Sequence, residues 1–83
     1  MDVNIRLACL KAIDLCNYML KSTDDEFVRD QKHQIELLIV DNRNSNLASA
    51  KARGVSRYIK HNFDTVVGEN TSIDIDTLLD SAP

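Results

Sequence analysis

Hydrophobic positions at the start of the chain recur at the three- and four-residue spacing of an amphipathic helix. Plotted at about 100° per residue, seven apolar side chains share one face: Ile5, Cys9, Ala12, Ile13, Cys16, Met19 and Leu20. Polar side chains lie opposite them, as in a helix that packs one side against a core. We therefore predict a first helix over about 3–21.

Three further apolar residues of this segment, Val3, Leu7 and Leu10, form a second stripe on the otherwise polar side. A helix that is apolar on two sides needs two sets of neighbours. A chain of 83 residues has few other elements to supply them, so we predict that this stripe is an interface in a homodimer. The alternative is a single bundle that wraps the first helix from both sides.

The next hydrophobic pattern predicts a second helix over about 24–40. Thr23 followed by Glu26 fits the capping box that often begins a helix. One face is formed by Phe27, Gln31, Ile35 and Leu38, and is widened by Val28 and Ile39. The last turn, 37–40, is apolar on all sides, so we expect it to be buried on more than one side.

A polar loop at 41–46 separates this segment from a third predicted helix at about 47–61. Its apolar side is formed by Ala48, Ala52, Val55 and Ile59, with Phe63 at the end. Gly54 lies in its interior, where glycine costs up to about 1 kcal/mol relative to alanine. Gly54 marks either tight helix packing or a turn that divides the segment, and the sequence leaves both open.

The C-terminal region has weaker signals. Gly68 and Asn70 favour a connector over 64–71. Thr71 followed by Asp74 can begin a short helix, whereas the Ile-Asp-Ile-Asp alternation at 73–76 suits a strand. We predict an all-α fold: a domain of three main helices at 1–67, followed at 68–83 by an acidic tail or a short docking helix.

Composition agrees with a small helical domain. Hydrophobic residues make up 43% and charged residues 28%, and two glycines and one proline leave few turn signals. No apolar run approaches the roughly 20 residues of a membrane span, and the N-terminus lacks the features of a secretory signal. We therefore expect a cytoplasmic protein.

The reactive side chains form no recognisable site. Cys9 and Cys16 are seven residues apart on a predicted helix, which places their backbones roughly 10 Å apart, beyond the reach of a disulfide. Neither His33 nor His61 lies at metal-ligand spacing from a cysteine. We predict no catalytic residue, no metal and no cofactor, and we interpret the cysteines as small buried hydrophobes.

Charge is divided sharply along the chain despite a net charge of −3. Between Asn42 and Asn62 there are five basic residues and no acidic one, whereas five acidic residues follow Lys60. Arg53, Arg57 and Lys60 share the polar side of the third helix, where they could contact phosphates or base edges. Alternatively, this basic face is solvated, or is neutralised by the acidic tail of the same or a paired chain.

The segment 50–61, AKARGVSRYIKH, resembles the middle of a helix-turn-helix motif in Ala50, Gly54, Val55 and Ser56. The resemblance implies two short helices joined at Gly54, the second of which would enter a DNA groove. Ser49 and Lys60 occupy positions where the motif has apolar residues, and Ile59 comes one place early.

These patterns predict a non-enzymatic regulatory or accessory protein that acts by protein–protein association as a homodimer. The alternative is a DNA-binding regulator that uses the basic face of the third helix. A second copy of the chain, another protein or a nucleic acid are the expected classes of partner, and a membrane is not.

Overall fold

The computed structural model describes residues 1–82, and these residues form helices and no strand. The helices are α1 (Val3–Leu20), α2 (Glu26–Asp41), α3 (Ser45–Phe63) and α4 (Val66–Asp80). The predicted all-α class is confirmed, and the three main helices begin and end within a few residues of the predicted positions.

Helices α1 and α3 form the centre of the bundle. Each of them contacts the other three helices, whereas α2 and α4 pack only on α1 and α3 and, within residues 1–82, do not touch each other. The outer helices therefore occupy the two grooves of a central pair. The Cα atoms extend over 33 × 23 × 14 Å, so the bundle is flattened.

Small side chains allow the two central helices to approach closely. Ala8 and Ala12 of α1 and Ala48 and Ala52 of α3 are fully buried. The Cys9 thiol lies against α3, where its Sγ donates to the carbonyl oxygen of Ala48 at 3.7 Å. Both cysteines are buried and unpaired, which agrees with their interpretation as small core residues.

The predicted core faces of α1 and α3 are largely confirmed. On α3, the buried apolar residues are Ala48, Ala52, Val55 and Ile59. On α1, Cys9, Ala12, Cys16 and Met19 are buried as predicted, while Ala8 and Leu15 are core residues that the sequence pattern missed. Ile5, Ile13 and Leu20 pack at the edge of the core and are only partly buried.

The last turn of α2 does not match the prediction. Leu37 is 56% exposed and Val40 is 84% exposed, so the expectation of burial on more than one side is wrong. Only α1 and α3 contact α2 in the described part of the chain, and these two neighbours cover one side of it.

Helix α3 runs without interruption through Gly54. No heavy atom from another part of the described chain lies within 4 Å of a Cβ placed at this glycine. Gly54 is therefore neither a turn nor a point of tight packing between the helices of residues 1–82.

The C-terminal segment forms a longer helix than predicted, and neither a connector over 64–71 nor a strand is present at 64–82. Thr65 begins α4, because its Oγ1 accepts a hydrogen bond from the Gly68 amide at 2.9 Å. A Cβ at Gly68 would lie 2.7 Å from that Oγ1 and 3.1 Å from Cγ2 of Ile59. Gly68 therefore permits α4 to approach α3 closely, and it does not break the helix.

The two glycines predict opposite responses to alanine. We expect Gly54→Ala to raise the free energy of unfolding by up to about 1 kcal/mol, because the new methyl group meets open space and alanine favours the helix. We expect Gly68→Ala to lower it by about 1–3 kcal/mol through overpacking. Urea unfolding followed by circular dichroism measures both, and equal shifts for the two variants would contradict this account of α4 packing.

Candidate interaction surfaces

An apolar stripe on the outer side of α1 is exposed to solvent. Val3 is 66% exposed, and Leu7 and Leu10 are each 43% exposed. At about 100° per residue they lie opposite the buried face of the same helix. The three neighbouring helices leave this stripe uncovered, so the alternative of a bundle that wraps α1 from both sides is wrong.

The start of α1 holds this stripe in helical geometry. Asp2 is the N-cap, and its carboxylate accepts hydrogen bonds from the amides of Asn4 at 2.8 Å and Ile5 at 3.3 Å. An N-cap of this kind satisfies amide groups that have no partner within the helix. Val3 therefore belongs to an ordered first turn, and Leu7 and Leu10 follow it along one side of the helix.

The predicted basic face on α3 lies against α4. Arg53 Nε is 3.3 Å from Asp76 Oδ1, and Arg53 Nη2 is 3.2 Å from Asp80 Oδ1. Arg57 Nη2 is 3.6 Å from the same oxygen of Asp76. Lys60 is exposed and makes no ion pair with residues 1–82.

These contacts are ion pairs whose geometry is loose. Asp76 Oδ1 is buried and accepts no well-aligned hydrogen bond from the described residues, although both arginines approach it. About one third of the surface of the Arg53 and Asp76 side chains remains exposed, so solvent and salt screen the attraction. The acidic C-terminal region therefore neutralises two of the three predicted basic residues within the same chain.

The helix-turn-helix resemblance is not matched by the structure. The resemblance requires a turn at Gly54, but α3 is continuous from Ser45 to Phe63. Arg53, Arg57 and Lys60 therefore lie along one unbroken helix, at a spacing of four and three residues. The three predicted residues therefore present one continuous helical face and not a recognition helix that follows a turn.

The junction of α2 and α3 contains a site that sequence analysis missed. An open cavity of about 510 Å³ is lined by Asp25, Glu26, Phe27, Asp30 and Tyr58. The Tyr58 hydroxyl donates to Asp25 Oδ2 at 2.7 Å, and the rings of Phe27 and Tyr58 lie 4.5 Å apart. Asp25 and Tyr58 are 33 residues apart in sequence, and no local pattern connects them.

Asp25 is also the N-cap of α2. The capping-box pattern had predicted Thr23 for this role. Asp25 Oδ1 accepts a hydrogen bond from the Val28 amide at 2.9 Å. This backbone hydrogen bond, together with the one from Tyr58, lowers the pKa of the Asp25 carboxyl. The same contact with Asp25 raises the pKa of Tyr58. Asp25 is thus engaged in holding two helices together.

The two cysteine thiols are buried in the core. Burial raises the pKa of Cys9 to about 11 and that of Cys16 to about 12, so both thiols stay protonated at neutral pH. Within residues 1–82, no three His, Cys, Asp or Glu side chains are grouped to hold a metal ion. Over the same residues, no helix has the length and apolar character needed to cross a bilayer.

Comparison with known proteins gives no relative: no family model, no curated protein and no solved structure matches this chain. A function has to be inferred from the surfaces described above.

The capping role of Asp25 predicts a pH-dependent effect of Asp25→Ala. At pH 7 we expect a loss of about 1 kcal/mol of stability, because the cap of α2 is removed. The pKa of Asp25 is lowered in the folded state, so its contribution is complete above the unfolded carboxyl pKa of about 3.9. It is lost as the pH falls through the lowered, folded-state pKa.

Denaturant unfolding of Asp25→Ala and the unmodified chain between pH 7 and pH 2 checks this expectation. Asp24→Ala is the control, because Asp24 forms only an exposed pair with Arg29 and should change stability by less than about 0.5 kcal/mol. A difference between Asp25→Ala and the unmodified chain that stays constant down to pH 2 would argue against the capping role.

Proposed function

We propose that this chain is a non-enzymatic regulatory or accessory protein that acts by associating with other protein chains, and that it forms a homodimer through α1. The exposed stripe of Val3, Leu7 and Leu10 carries this proposal. Isolated apolar residues are common on protein surfaces, but three large ones that are neighbours on one helix form a contiguous patch.

The position of the stripe supports an interface over a chance exposure. It spans eight residues, or about 10 Å along the helix axis, on one of the two helices that contact all the others. A twofold dimer brings one surface patch against the identical patch of its partner, so a single apolar stripe supplies both sides of the contact. A chain of 83 residues also buries a smaller fraction of its surface than a larger domain, and dimer formation adds to that burial.

Leu7→Asp tests the α1 interface. The substitution places a charge in the centre of the stripe, and because Leu7 is 43% exposed in the single chain, the fold should tolerate it. We expect light scattering to give about twice 9.4 kDa for the unmodified chain and 9.4 kDa for the variant. Circular dichroism should show nearly unchanged helicity.

Leu37→Asp is the matched control, because Leu37 is an exposed leucine on α2 and lies outside the stripe. We expect this variant to remain dimeric. A monomeric unmodified chain, or equal effects of the two substitutions, would contradict the α1 interface.

A second candidate function is DNA binding by the basic face of α3. It is favoured by the exposure of Lys60 and Arg57, which leaves two cations of that face in contact with solvent. Asp76 and Asp80 oppose it, because they pair with Arg53 and Arg57. DNA binding by the unmodified chain should therefore be weak, and should strengthen when the two carboxylates are neutralised.

The double variant Asp76→Asn/Asp80→Asn tests this candidate against Glu69→Gln/Asp74→Asn, which changes the net charge equally on the same helix. We expect only the first to bind duplex DNA more tightly than the unmodified chain in a fluorescence anisotropy titration. Three phosphate contacts predict a loss of affinity of roughly 40-fold between 50 and 200 mM salt.

Adding Arg57→Glu to the first double variant should abolish the gain in affinity. Equal DNA affinity of the two double variants would rule out a basic site that α4 covers.

A further inference from the structure

We infer that α4 is an exchangeable helix: two copies of the chain associate by each placing its α4 in the α1–α3 groove of the other. The connector Asp64–Thr65 is the hinge. This mode of association goes beyond the proposed α1 interface and does not depend on it, because it uses a different surface of the molecule.

Few large side chains anchor α4 in its groove. Its buried residues are Gly68, Ser72 and Ile75, so Ile75 is the one large apolar side chain that the described part of α4 buries fully. Leu78 and Leu79 pack at the edge of the core, and Val66 and Ile73 face solvent. In contrast, α1 buries six residues. Helix α4 therefore fully buries fewer large apolar side chains than α1, with Leu15 and Met19, or α2, with Val28 and Ile35.

The contacts that fix the position of α4 all lie between α4 and the central helix pair. The ion pairs of Asp76 and Asp80 with Arg53 and Arg57 connect α4 to α3. Gly68 sets the close approach of α4 to Ile59 of α3. Because α4 contacts only α1 and α3 within residues 1–82, the α4 of a second copy can reproduce every one of these contacts.

The hinge between α3 and α4 is short, and its residues can also adopt the helical conformation. Helix α3 ends at Phe63 and α4 begins at Val66, and Asp64 adopts the left-handed conformation with φ 47° and ψ 53°. This conformation is unfavourable for a residue with a side chain, although aspartate and asparagine tolerate it better than most. No glycine or proline lies at 63–66. A right-handed Asp64 would therefore join α3 and α4 into one helix, provided that Thr65 also exchanges its extended N-cap conformation for a helical one.

A joined helix requires a second chain. It would run over 45–80 and measure about 54 Å at 1.5 Å per residue, whereas the whole folded chain extends over 33 Å. Helix α4 would then lie beyond its own groove, and the groove would be open at Ile59. Reciprocal exchange fills both grooves and changes only the turn, which is the usual low-cost route to a domain-swapped dimer.

Charge reversal on the two sides of the groove tests the exchange directly. One variant carries Arg53→Asp and Arg57→Asp, and the other carries Asp76→Arg and Asp80→Arg. Each variant alone places like charges across the groove, in the closed form and in an exchanged homodimer. Only the exchanged heterodimer pairs unlike charges in both grooves, so we expect mixing to give nearly complete heterodimer in native mass spectrometry with one copy labelled with ¹⁵N.

A second pair of variants, Arg29→Asp/Arg43→Asp and Glu69→Arg/Asp74→Arg, controls for the change in net charge. Their substitutions lie at exposed positions outside the ion pairs between α3 and α4. This pair should give about the statistical half of heterodimer, as should dimers formed through α1. A charge-reversed mixture that gives the same fraction as the control pair, or that stays unfolded, overturns the exchange.

Hinge variants that keep the ion pairs between α3 and α4 unchanged provide a second test. Asp64→Gly accepts the left-handed turn and should favour the closed monomer, whereas Asp64→Ala should favour the joined helix. We expect the exchanged dimer to be weaker than the α1 dimer, so that Leu7→Asp chains are monomeric at low concentration and exchange α4 at higher concentration. With Leu7→Asp present in all chains, we expect the dissociation constants of the exchanged dimers of these two variants to differ by about tenfold or more.

Asn42→Ala is the control, because Asn42 is the other left-handed residue of the described chain and lies outside the hinge. Equal dissociation constants for Asp64→Gly and Asp64→Ala overturn the exchange. Because the α1 interface is disabled by Leu7→Asp in all these chains, either interface can fail in these tests while the other stands.

Discussion

The close contact between α1 and α3 determines where the other helices pack. Alanines on both helices and the Cys9 thiol against the Ala48 carbonyl bring the two axes together, because small side chains keep the interaxial distance short. A narrow central pair has one groove on each side, and α2 and α4 fill these grooves without meeting. The outer side of α1 is then left to solvent, and so is any apolar residue that the sequence places there.

Periodicity predicts the parts of this fold that depend on one helix at a time. The buried side of α3, with Val55 and Ile59, and the exposure of Leu7 opposite the core both follow from the spacing of hydrophobic residues. The prediction that the end of α2 is buried on more than one side was wrong, because a helical pattern does not give the number of neighbours a helix has. Val40 faces away from the two helices that α2 contacts. The prediction of a connector at Gly68 failed for a related reason. Glycine often ends a helix, but here Gly68 lies inside α4 and lets it pack closely against Ile59 of α3.

For the candidate sites as well, features that belong to one helix could be predicted from the sequence, and features that need two helices in contact could not. The α1 stripe and the spacing of Arg53 and Arg57 are visible in the sequence, because each belongs to a single helix. The pairing of those arginines with Asp76 depends on the register between α3 and α4, which is set by the packing of Gly68 against Ile59. The contact of Tyr58 with Asp25 likewise depends on how α2 docks on α3. Contacts between helices cannot be predicted from the local sequence pattern of either helix alone.

Two of the proposed activities compete for the same arginines. Arg53 and Arg57 cannot pair with α4 and with phosphate groups at once, so an exchanged dimer and a DNA complex are alternative uses of one surface. Added salt weakens the half-exposed ion pairs that hold α4, and it weakens phosphate binding still more steeply through counterion competition. The exchanged dimer loses little in salt, because the apolar contacts of Ile75 remain. Ionic strength should therefore separate the two proposed uses: we expect DNA binding at low salt only, and α4 exchange to persist at salt concentrations that release DNA.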